Sequence, residues 1–161
     1  MEPPRLITRD AMKVIGLEAR TTNALEADPS TARIPGLWQR FFKEHVPEQI
    51  PNRSGSGAWM AVYTKYERDA SGEYSLVLGA EVTSFDDVPE WLTPVVIPAS
   101  RYLVFSAQGT MPQAVIETWG QVWSYFAASP EYERAYTADF EVYDQRFQSV
   151  SPEVDIFIAI K

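Results

Sequence analysis

The two halves of this chain repeat one another at an offset of about 80 residues. The matching segments are LWQRFF (37–42) with TWGQVW (118–123), MAVYTKY (60–66) with FEVYDQR (140–146), and SLVLGAEV (75–82) with DIFIAIK (155–161). Each half reads as strand, helix, strand, strand, and neither half is large enough to close a hydrophobic core alone. We therefore predict a single α+β domain over residues 1–161, with duplicated β-α-β-β units, a pseudo-twofold axis, an antiparallel sheet and two main helices.

Helix and boundary signals place the elements within each repeat. The first repeat covers about residues 5–84 and the second about residues 98–161. The apolar spacing in segment 36–46 predicts the first helix. In the second repeat, the T-x-x-Q spacing at Thr110 and Gln113 predicts a capped helix start, and the proline at the end of segment 128–130 predicts the helix end.

Strand signals fill the remaining parts of both repeats. Segment 5–21 reads as β structure with a turn near Arg9-Asp10. The segment ERDASG (67–72) predicts a hairpin between two strands of the first repeat. Segment 85–94 is acidic and bounded by proline, which predicts an irregular loop.

One acidic residue breaks the duplicated apolar pattern. At the repeat offset, Glu141 corresponds to Ala61. Because side chains alternate along a strand, Tyr143 shares the strand face of Glu141, and Tyr63 and Trp59 share the face of Ala61. Exceptions to a consistent pattern tend to mark functional positions, so this aromatic and acidic face is a candidate site.

The opposite faces of these strands are apolar, which predicts a role in core packing. They carry Met60 and Val62 in the first repeat and Phe140 and Val142 in the second. We expect these residues to pack against the two helices, which would leave the aromatic and acidic face free for a cleft.

Composition excludes several classes of function. The formal charge is −8 and the pI is about 4.7, and no basic stripe is present, which argues against nucleic-acid binding. The chain has no cysteine, and the acids at 86, 87 and 90 lack the spacing of a calcium loop, so neither a metal nor another cofactor is predicted. With no apolar run of membrane-spanning or signal-peptide length, we predict a cytoplasmic protein without membrane association.

An ordered set of motifs resembles the GyrI-like small-molecule-binding domains. The motifs are IPGLWQRFF, VYTKYERDASGEYSLVLGAEV, VIPASRYLVFSAQG, ETWGQVW and DFEVYD. This family includes effector-binding domains of AraC-type and MerR-type regulators and stand-alone members on integron cassettes. The resemblance covers about residues 4–161, so no DNA-binding domain is expected in this chain.

The resemblance also implies a function. It implies a ligand cleft between the two halves that takes bulky aromatic cations, with the acid of an E-x-Y strand motif as counter-charge, and Glu141 matches that acid. Trp91, in the acidic loop, is a candidate lid. The predicted ligand-binding residues are Glu141, Tyr143, Trp59, Tyr63, Trp91, Phe105 and Trp119.

Two other functions fit the same residues. In a hydrolase of strained electrophilic molecules, Glu141 would position water or move a proton. In a protein-interaction module resembling topoisomerase inhibitors, surface acids would contact a basic partner. The main prediction remains a binding protein for small organic cations, with a separate transcription regulator or another protein as a possible partner.

Overall fold

Eight strands form one antiparallel sheet in this computed structural model, which describes residues 3–54, 57–69, 71–128 and 131–161. The strands are β1 (Arg5–Arg9), β2 (Met12–Thr21), β3 (Trp59–Thr64), β4 (Tyr74–Val82), β5 (Thr93–Ile97), β6 (Ser100–Gln108), β7 (Ala138–Tyr143) and β8 (Glu153–Ile160). The helices are α1 (Asn23–Glu26), α2 (Ile34–Lys43), α3 (Val46–Gln49) and α4 (Gln113–Ala127), and a 3-10 turn covers Gln145–Gln148. No helix among these residues is both long and apolar enough to cross a membrane.

The strand order confirms the predicted duplication. The sheet runs β1-β6-β8-β7-β3-β4-β2-β5, so β2-α2-β3-β4 and β6-α4-β7-β8 form two equivalent units that meet at β3 and β7. Strands β3 and β4 pair antiparallel, as the hairpin signal predicts, although residue 70 of that turn lies outside the described residues. Helix α4 ends at Ala127 with Ala128 as its cap, where the predicted end segment 128–130 begins, and residues 129–130 lie outside the described residues.

The local pseudo-twofold axis passes through one cross-strand pair. Ala61 on β3 faces Glu141 on β7, and these two residues are also the repeat equivalents. The flanking pairs are Trp59 with Tyr143 and Tyr63 with Asp139. Glu141 therefore lies at the centre of the molecule, where the two halves join.

The pairing of the two edge strands was not predicted, although β1 and β2 do separate at the turn predicted near Arg9-Asp10. Strand β1 pairs only with β6 of the second unit, and β5 pairs only with β2 of the first. Segment 5–21 is thus two strands that do not pair with each other, and the predicted loop 85–94 ends in the first residues of β5. Each edge strand has its partner in the other half, so no local hairpin signal could reveal the pairing.

The start of α4 differs from the predicted capping box. The helix begins at Gln113, and Pro112 occupies the cap position without a side-chain hydrogen bond. Thr110 still lies close, because its carbonyl oxygen accepts from the amide of Ala114 at 2.8 Å.

The predicted orientation of the sheet is wrong: both long helices cover the face that carries Glu141. Leu37 and Phe41 of α2 pack in one cluster with Ala61 of β3. Likewise, Val122 of α4 packs in one cluster with Ile156 of β8. The cleft and the helices therefore share one face of the sheet.

The opposite face is buried because the sheet curls onto itself. Its cluster contains Met60, Val62 and Phe140, and its buried members all lie on strands. The cluster also joins Ile97 of β5 to Tyr102 of β6. In a flat sheet the six strand spacings between β5 and β6 would separate them by about 29 Å. Only two residues link these strands, so the ends of the sheet must approach each other.

Candidate functional site

A large cavity lies between α2 and α4, above the central strands β3 and β7. Its volume is about 850 Å³, within the range of pockets that enclose drug-sized molecules. The side chains that line it are mostly apolar or aromatic and come from both repeats. The two helices form its walls, and the pair of strands on the pseudo-twofold axis forms its floor.

The floor of the cavity follows from strand alternation. Glu141 and Tyr143 project from the same face of β7, and Trp59 and Tyr63 project beside them from β3. Directly opposite Glu141, Ala61 offers only a methyl group, and facing residues in such pairs have Cβ atoms about 5 Å apart. Ala61 itself is fully buried and is not among the residues that line the cavity.

Three neutral side chains hold the carboxylate of Glu141. The Tyr63 hydroxyl donates to Oε2 at 2.8 Å, and the Trp119 indole Nε1 donates to the same oxygen at 2.6 Å. The Tyr143 hydroxyl donates to Oε1 at 2.5 Å. Glu141 is only 2% exposed. Its orientation is thus fixed by residues from both halves of the molecule.

Among the described residues, no cation compensates the charge of Glu141. Burial raises the pKa of Glu141, and the hydrogen bonds from Tyr143, Trp119 and Tyr63 oppose that rise without cancelling it. No lysine or arginine forms an ion pair with Glu141 within the part of the chain that the structure describes. Burial, reinforced by the adjacent carboxylate, raises the pKa of Tyr63 and of Tyr143 well above the usual value for tyrosine. Both tyrosines therefore remain neutral donors at physiological pH.

Aromatic contacts set the width of the cavity. Trp38 of α2 lies edge-on to Tyr143, with ring centroids 5.3 Å apart. On the other side, Trp119 of α4 lies edge-on to Tyr63 at 5.1 Å. Such edge-to-face pairs restrain the rings and present their faces to the interior. The arrangement can surround a flat ligand with aromatic surface while a carboxylate lies at its base.

A second buried acid lies on the same face of β7, two residues from Glu141. Asp139 is fully buried, and its Oδ2 accepts from Arg134 Nη2 at 2.7 Å and from the Tyr66 hydroxyl at 2.5 Å. Its Oδ1 accepts from the amide of Ala159 at 2.8 Å. Arg134 and Tyr66 also line the cavity. This acid, unlike Glu141, has a cationic partner.

Most of the predicted site residues line one cavity. The structure brings together Glu141, Tyr143, Trp59, Tyr63 and Trp119.

The two other predicted residues lie elsewhere. Phe105 on β6 is 2% exposed and packs in the core under α4, where its ring contacts Tyr125 at 5.6 Å. Trp91 is 40% exposed and precedes β5, which is three strand spacings, or about 14 Å, from β3. Trp91 is not among the residues that line this cavity, and its neighbour Leu92 packs in the core with Phe85 and Val88 of the same loop.

Sequence reasoning missed several residues that line the cavity. They are chiefly Trp38, Phe42, Trp123, Tyr66, Tyr74 and Arg134. The i,i+4 spacing of Trp38 and Phe42 is a usable signal, because it places both side chains on one face of the helix. Phe42 is 47% exposed and Trp123 is 50% exposed, so these residues form an apolar rim at the mouth. No periodic pattern indicates Arg134, because it lies in the irregular segment between α4 and β7.

Comparisons with known proteins agree with this architecture. One curated relative, "Putative transcriptional regulator protein YobU" of Bacillus subtilis (strain 168), is 32% identical over 154 residues, with 94% of each chain covered. Another, "Transcriptional regulator BrlR" of Pseudomonas aeruginosa, is 31% identical over 160 residues. The match covers 97% of this chain but 54% of BrlR, so this chain spans about half the length of that relative.

Solved structures share the fold. The integron cassette protein VCH_CASS2 from the mobile metagenome of Vibrio cholerae has a TM-score of 0.81 and 32% identity, with 99% of this chain and 97% of that chain covered. SAV2435, solved bound to tetraphenylphosphonium, also has a TM-score of 0.81, with 22% identity and coverage of 100% and 94%. The family described as "Cass2: Integron-associated effector binding protein" matches residues 5–160. The resemblance to GyrI-like domains is thereby confirmed, and this chain belongs to the integron-associated effector-binding protein family.

Proposed function

We propose that this protein is a receptor for bulky, aromatic organic cations, in which Glu141 supplies the counter-charge. The observation that carries the proposal is a carboxylate that is 2% exposed, held by neutral donors and located on the floor of an aromatic cavity. Membership of an effector-binding family makes small-molecule binding the expected activity. The residues proposed to contact the ligand are Glu141, Tyr143, Trp59, Tyr63 and Trp119, together with Trp38 and Trp123.

Electrostatics supports a cationic ligand. An ionised carboxylate loses favourable hydration when it is buried, which is why the pKa of Glu141 is raised. A bound cation restores a favourable charge interaction in a region where water no longer screens it. The ring faces add cation–π attraction of about 0.5–2 kcal/mol for each well-placed ring.

The hydrogen bonds of Glu141 also favour a particular type of cation. A carboxylate offers about four lone-pair sites, and three of them already accept from Tyr63, Trp119 and Tyr143. A ligand therefore gains little by donating hydrogen bonds of its own. Delocalised or fully substituted cations with flat aromatic groups fit this environment better than a primary ammonium, which loses strong hydration on burial.

A relative with the same fold supports the ligand class. SAV2435 was solved bound to tetraphenylphosphonium, an aromatic cation without hydrogen-bond donors. At 22% identity that likeness concerns the fold, and the charge and aromatic content of the present cavity carry the argument for this chain. A regulator or another protein that senses the bound state remains a prediction.

Titration of tryptophan fluorescence with tetraphenylphosphonium tests the proposal. Trp38, Trp59 and Trp119 line the cavity, so binding should change the emission. Glu141→Gln should weaken cation binding by about 2–5 kcal/mol, since it removes one member of a buried charge pair. Neutral triphenylphosphine oxide should bind wild type and Glu141→Gln with affinities within about threefold of each other.

A matched control separates the site from general acidity. Glu117 lies exposed on α4, and its carboxylate accepts from Gln113 at 3.1 Å. Glu117→Gln should leave the affinity for tetraphenylphosphonium unchanged. Equal cation affinity in wild type and Glu141→Gln would refute the proposal. Recovery of a chemically altered electrophilic ligand, at a rate that depends on Glu141, would instead support the hydrolase alternative.

A further inference from the structure

Arg134 is a charged side chain of the cavity lining whose hydrogen bonds are incomplete among the described residues. Arg134 lines the cavity and is 8% exposed. A guanidinium carries five N–H donors, yet only Nη2 has an acceptor, Asp139, among the described residues. Its Nε is buried without a hydrogen-bond partner in the described part of the chain. Because Nε is enclosed by protein, the donor open to a ligand is Nη1, which is not enclosed in this way and has no acceptor among the described residues.

The charge of Arg134, in contrast, is already compensated. Its Nη2 lies 2.7 Å from Oδ2 of Asp139, and both side chains are buried. Burial lowers the pKa of Arg134, but the Asp139 carboxylate outweighs that effect and the pKa is raised. Tyr136 covers the guanidinium, with the central carbon 4.4 Å from the ring centroid. A ligand group at this point therefore finds hydrogen-bond donors without an uncompensated positive charge.

The position of Arg134 relative to Glu141 sets the geometry of a ligand that reaches both. Asp139, the partner of Arg134, is two residues from Glu141 on β7, which corresponds to about 7 Å along the strand. Tyr66 and Tyr74 line the cavity beside Arg134, with ring centroids 5.9 Å apart. The hydroxyl of Tyr66 is already engaged with Asp139, so it does not compete for the same acceptor.

We propose that the cavity selects cations that also carry a neutral hydrogen-bond acceptor, such as a carbonyl oxygen, and that Arg134 donates to this acceptor. The proposal rests on the proposed function of Glu141 as counter-charge. It narrows the ligand class from aromatic cations in general to cations with an oxygen acceptor several ångströms from the charge. Arg134 is then a specificity-determining residue, and the Asp139 and Tyr66 side chains hold it in place.

A pair of matched ligands tests this inference on the wild-type protein. Pentyltriphenylphosphonium and (4-oxopentyl)triphenylphosphonium have the same charge and shape, and only the second carries a carbonyl. A hydrogen bond to a charged donor is worth about 1.5 kcal/mol or more, so the ketone should bind about tenfold more tightly. Equal affinities would mean that water accepts a hydrogen bond from Arg134 as well as the ketone does, and they would overturn the inference.

A double variant tests whether Arg134 causes the preference for the ketone ligand. The double variant Arg134→Met/Asp139→Asn removes both charges together, and it should reduce the ketone preference to about onefold. Glu141→Gln should weaken both ligands in parallel and preserve their ratio. Circular dichroism and thermal unfolding establish whether the double variant is folded. If it is unfolded, the ratio of ketone to alkyl affinity in wild type still decides whether the cavity prefers a ligand with an acceptor.

The outcomes separate the two proposals. If both ligands bind in a Glu141-dependent manner without a ketone preference, this inference fails and the proposed function stands. If neither ligand binds, or if Glu141→Gln leaves both affinities unchanged, the proposed function fails and this inference fails with it. A larger gain for (4-carboxybutyl)triphenylphosphonium than for the ketone would contradict the neutral acceptor, because it would require an uncompensated charge on Arg134.

Discussion

Glu141 and Asp139 lie two residues apart on the same face of β7, and both are buried. Asp139 has a cationic partner, Arg134, at 2.7 Å, and its carboxylate also accepts from Tyr66 and from the amide of Ala159. Glu141 accepts three hydrogen bonds of similar length, all from neutral donors. The two sites thus provide the same number of hydrogen bonds but differ in net charge.

This difference assigns the two acids to different tasks. The protein supplies a buried cation for Asp139, which makes that acid part of the structure. At Glu141 the buried charge has no cation opposite it in the part of the chain that the structure describes, and the adjacent space is an open cavity. A site that leaves a charge uncompensated gives up some stability in the free state and recovers it when a ligand of opposite charge binds.

Replacing each carboxylate by its amide should produce the largest contrast. Asp139→Asn leaves the Arg134 guanidinium buried without a counter-charge, so the free energy of unfolding should fall by about 3–5 kcal/mol. Glu141→Gln leaves no charge unpaired, because its partners are neutral, and the hydroxyl of Tyr143 can turn to accept from the new amide. Its stability should stay within about 1 kcal/mol of wild type. Urea unfolding at pH 7 measures both, and equal losses would contradict the distinction.

The pH dependence of stability should sharpen the same contrast. The pKa of Glu141 is raised in the folded state, so the folded protein holds a proton that the unfolded chain has released once pH exceeds the ordinary glutamate value of about 4.3. Stability from this group therefore falls as pH rises from about 4.3 through the folded pKa, by about 1.4 kcal/mol for each unit of difference.

Glu141→Gln lacks this titration and provides the reference. The unfolding free energy of wild type minus that of Glu141→Gln should decrease across this pH window and become constant above it. Urea unfolding at a series of pH values from about 4 to about 8 measures the difference. Parallel curves for the two proteins would show that Glu141 carries no burial penalty.

Removing one tyrosine hydroxyl that donates to each acid should change pKa and stability least. Tyr63→Phe deletes a donor to Glu141 and keeps the ring, so the carboxylate becomes harder to ionise by about 1 kcal/mol. The pH below which tetraphenylphosphonium binding is lost should then move upward. Tyr66→Phe deletes the corresponding donor to Asp139 and should reduce stability without moving that pH. A shift of similar size in both variants would contradict the separation of the two sites.

The repeat made the centre of the fold predictable from sequence. Duplicated apolar spacing is preserved because each half must bury a similar helix against similar strands, and the match of Ala61 with Glu141 reappears as a direct cross-strand pair. The edge strands β1 and β5 could not be paired from sequence, since each partner lies in the other half. The burial of Phe140 was predictable from its apolar strand face. The residues that pack over Phe140 were not predictable, because they come together only when the whole sheet curls.

The candidate site was predictable where it followed strand alternation. Glu141, Tyr143 and Tyr63 share one face because neighbouring side chains alternate, and that rule needs no tertiary information. Arg134 was not predictable, because it lies outside regular structure and no sequence pattern indicates its hydrogen bond to Asp139, five residues away. Phe105 and Trp91 are not among the residues that line the cavity, because strand order, which the sequence does not reveal, decides which aromatic residues face it.

Titration of the Glu141 carboxyl by carbon NMR is the most direct measurement of its proposed role as counter-charge. Comparison of wild type with Glu141→Gln assigns the resonance, and the titration is run with and without saturating tetraphenylphosphonium. In the free protein the midpoint should lie above the usual value for glutamate, and the bound cation should lower it, because a ligand that prefers the ionised form must favour its ionisation in return. A midpoint at the ordinary value, or one that the cation leaves unchanged, would contradict the role of Glu141 as counter-charge.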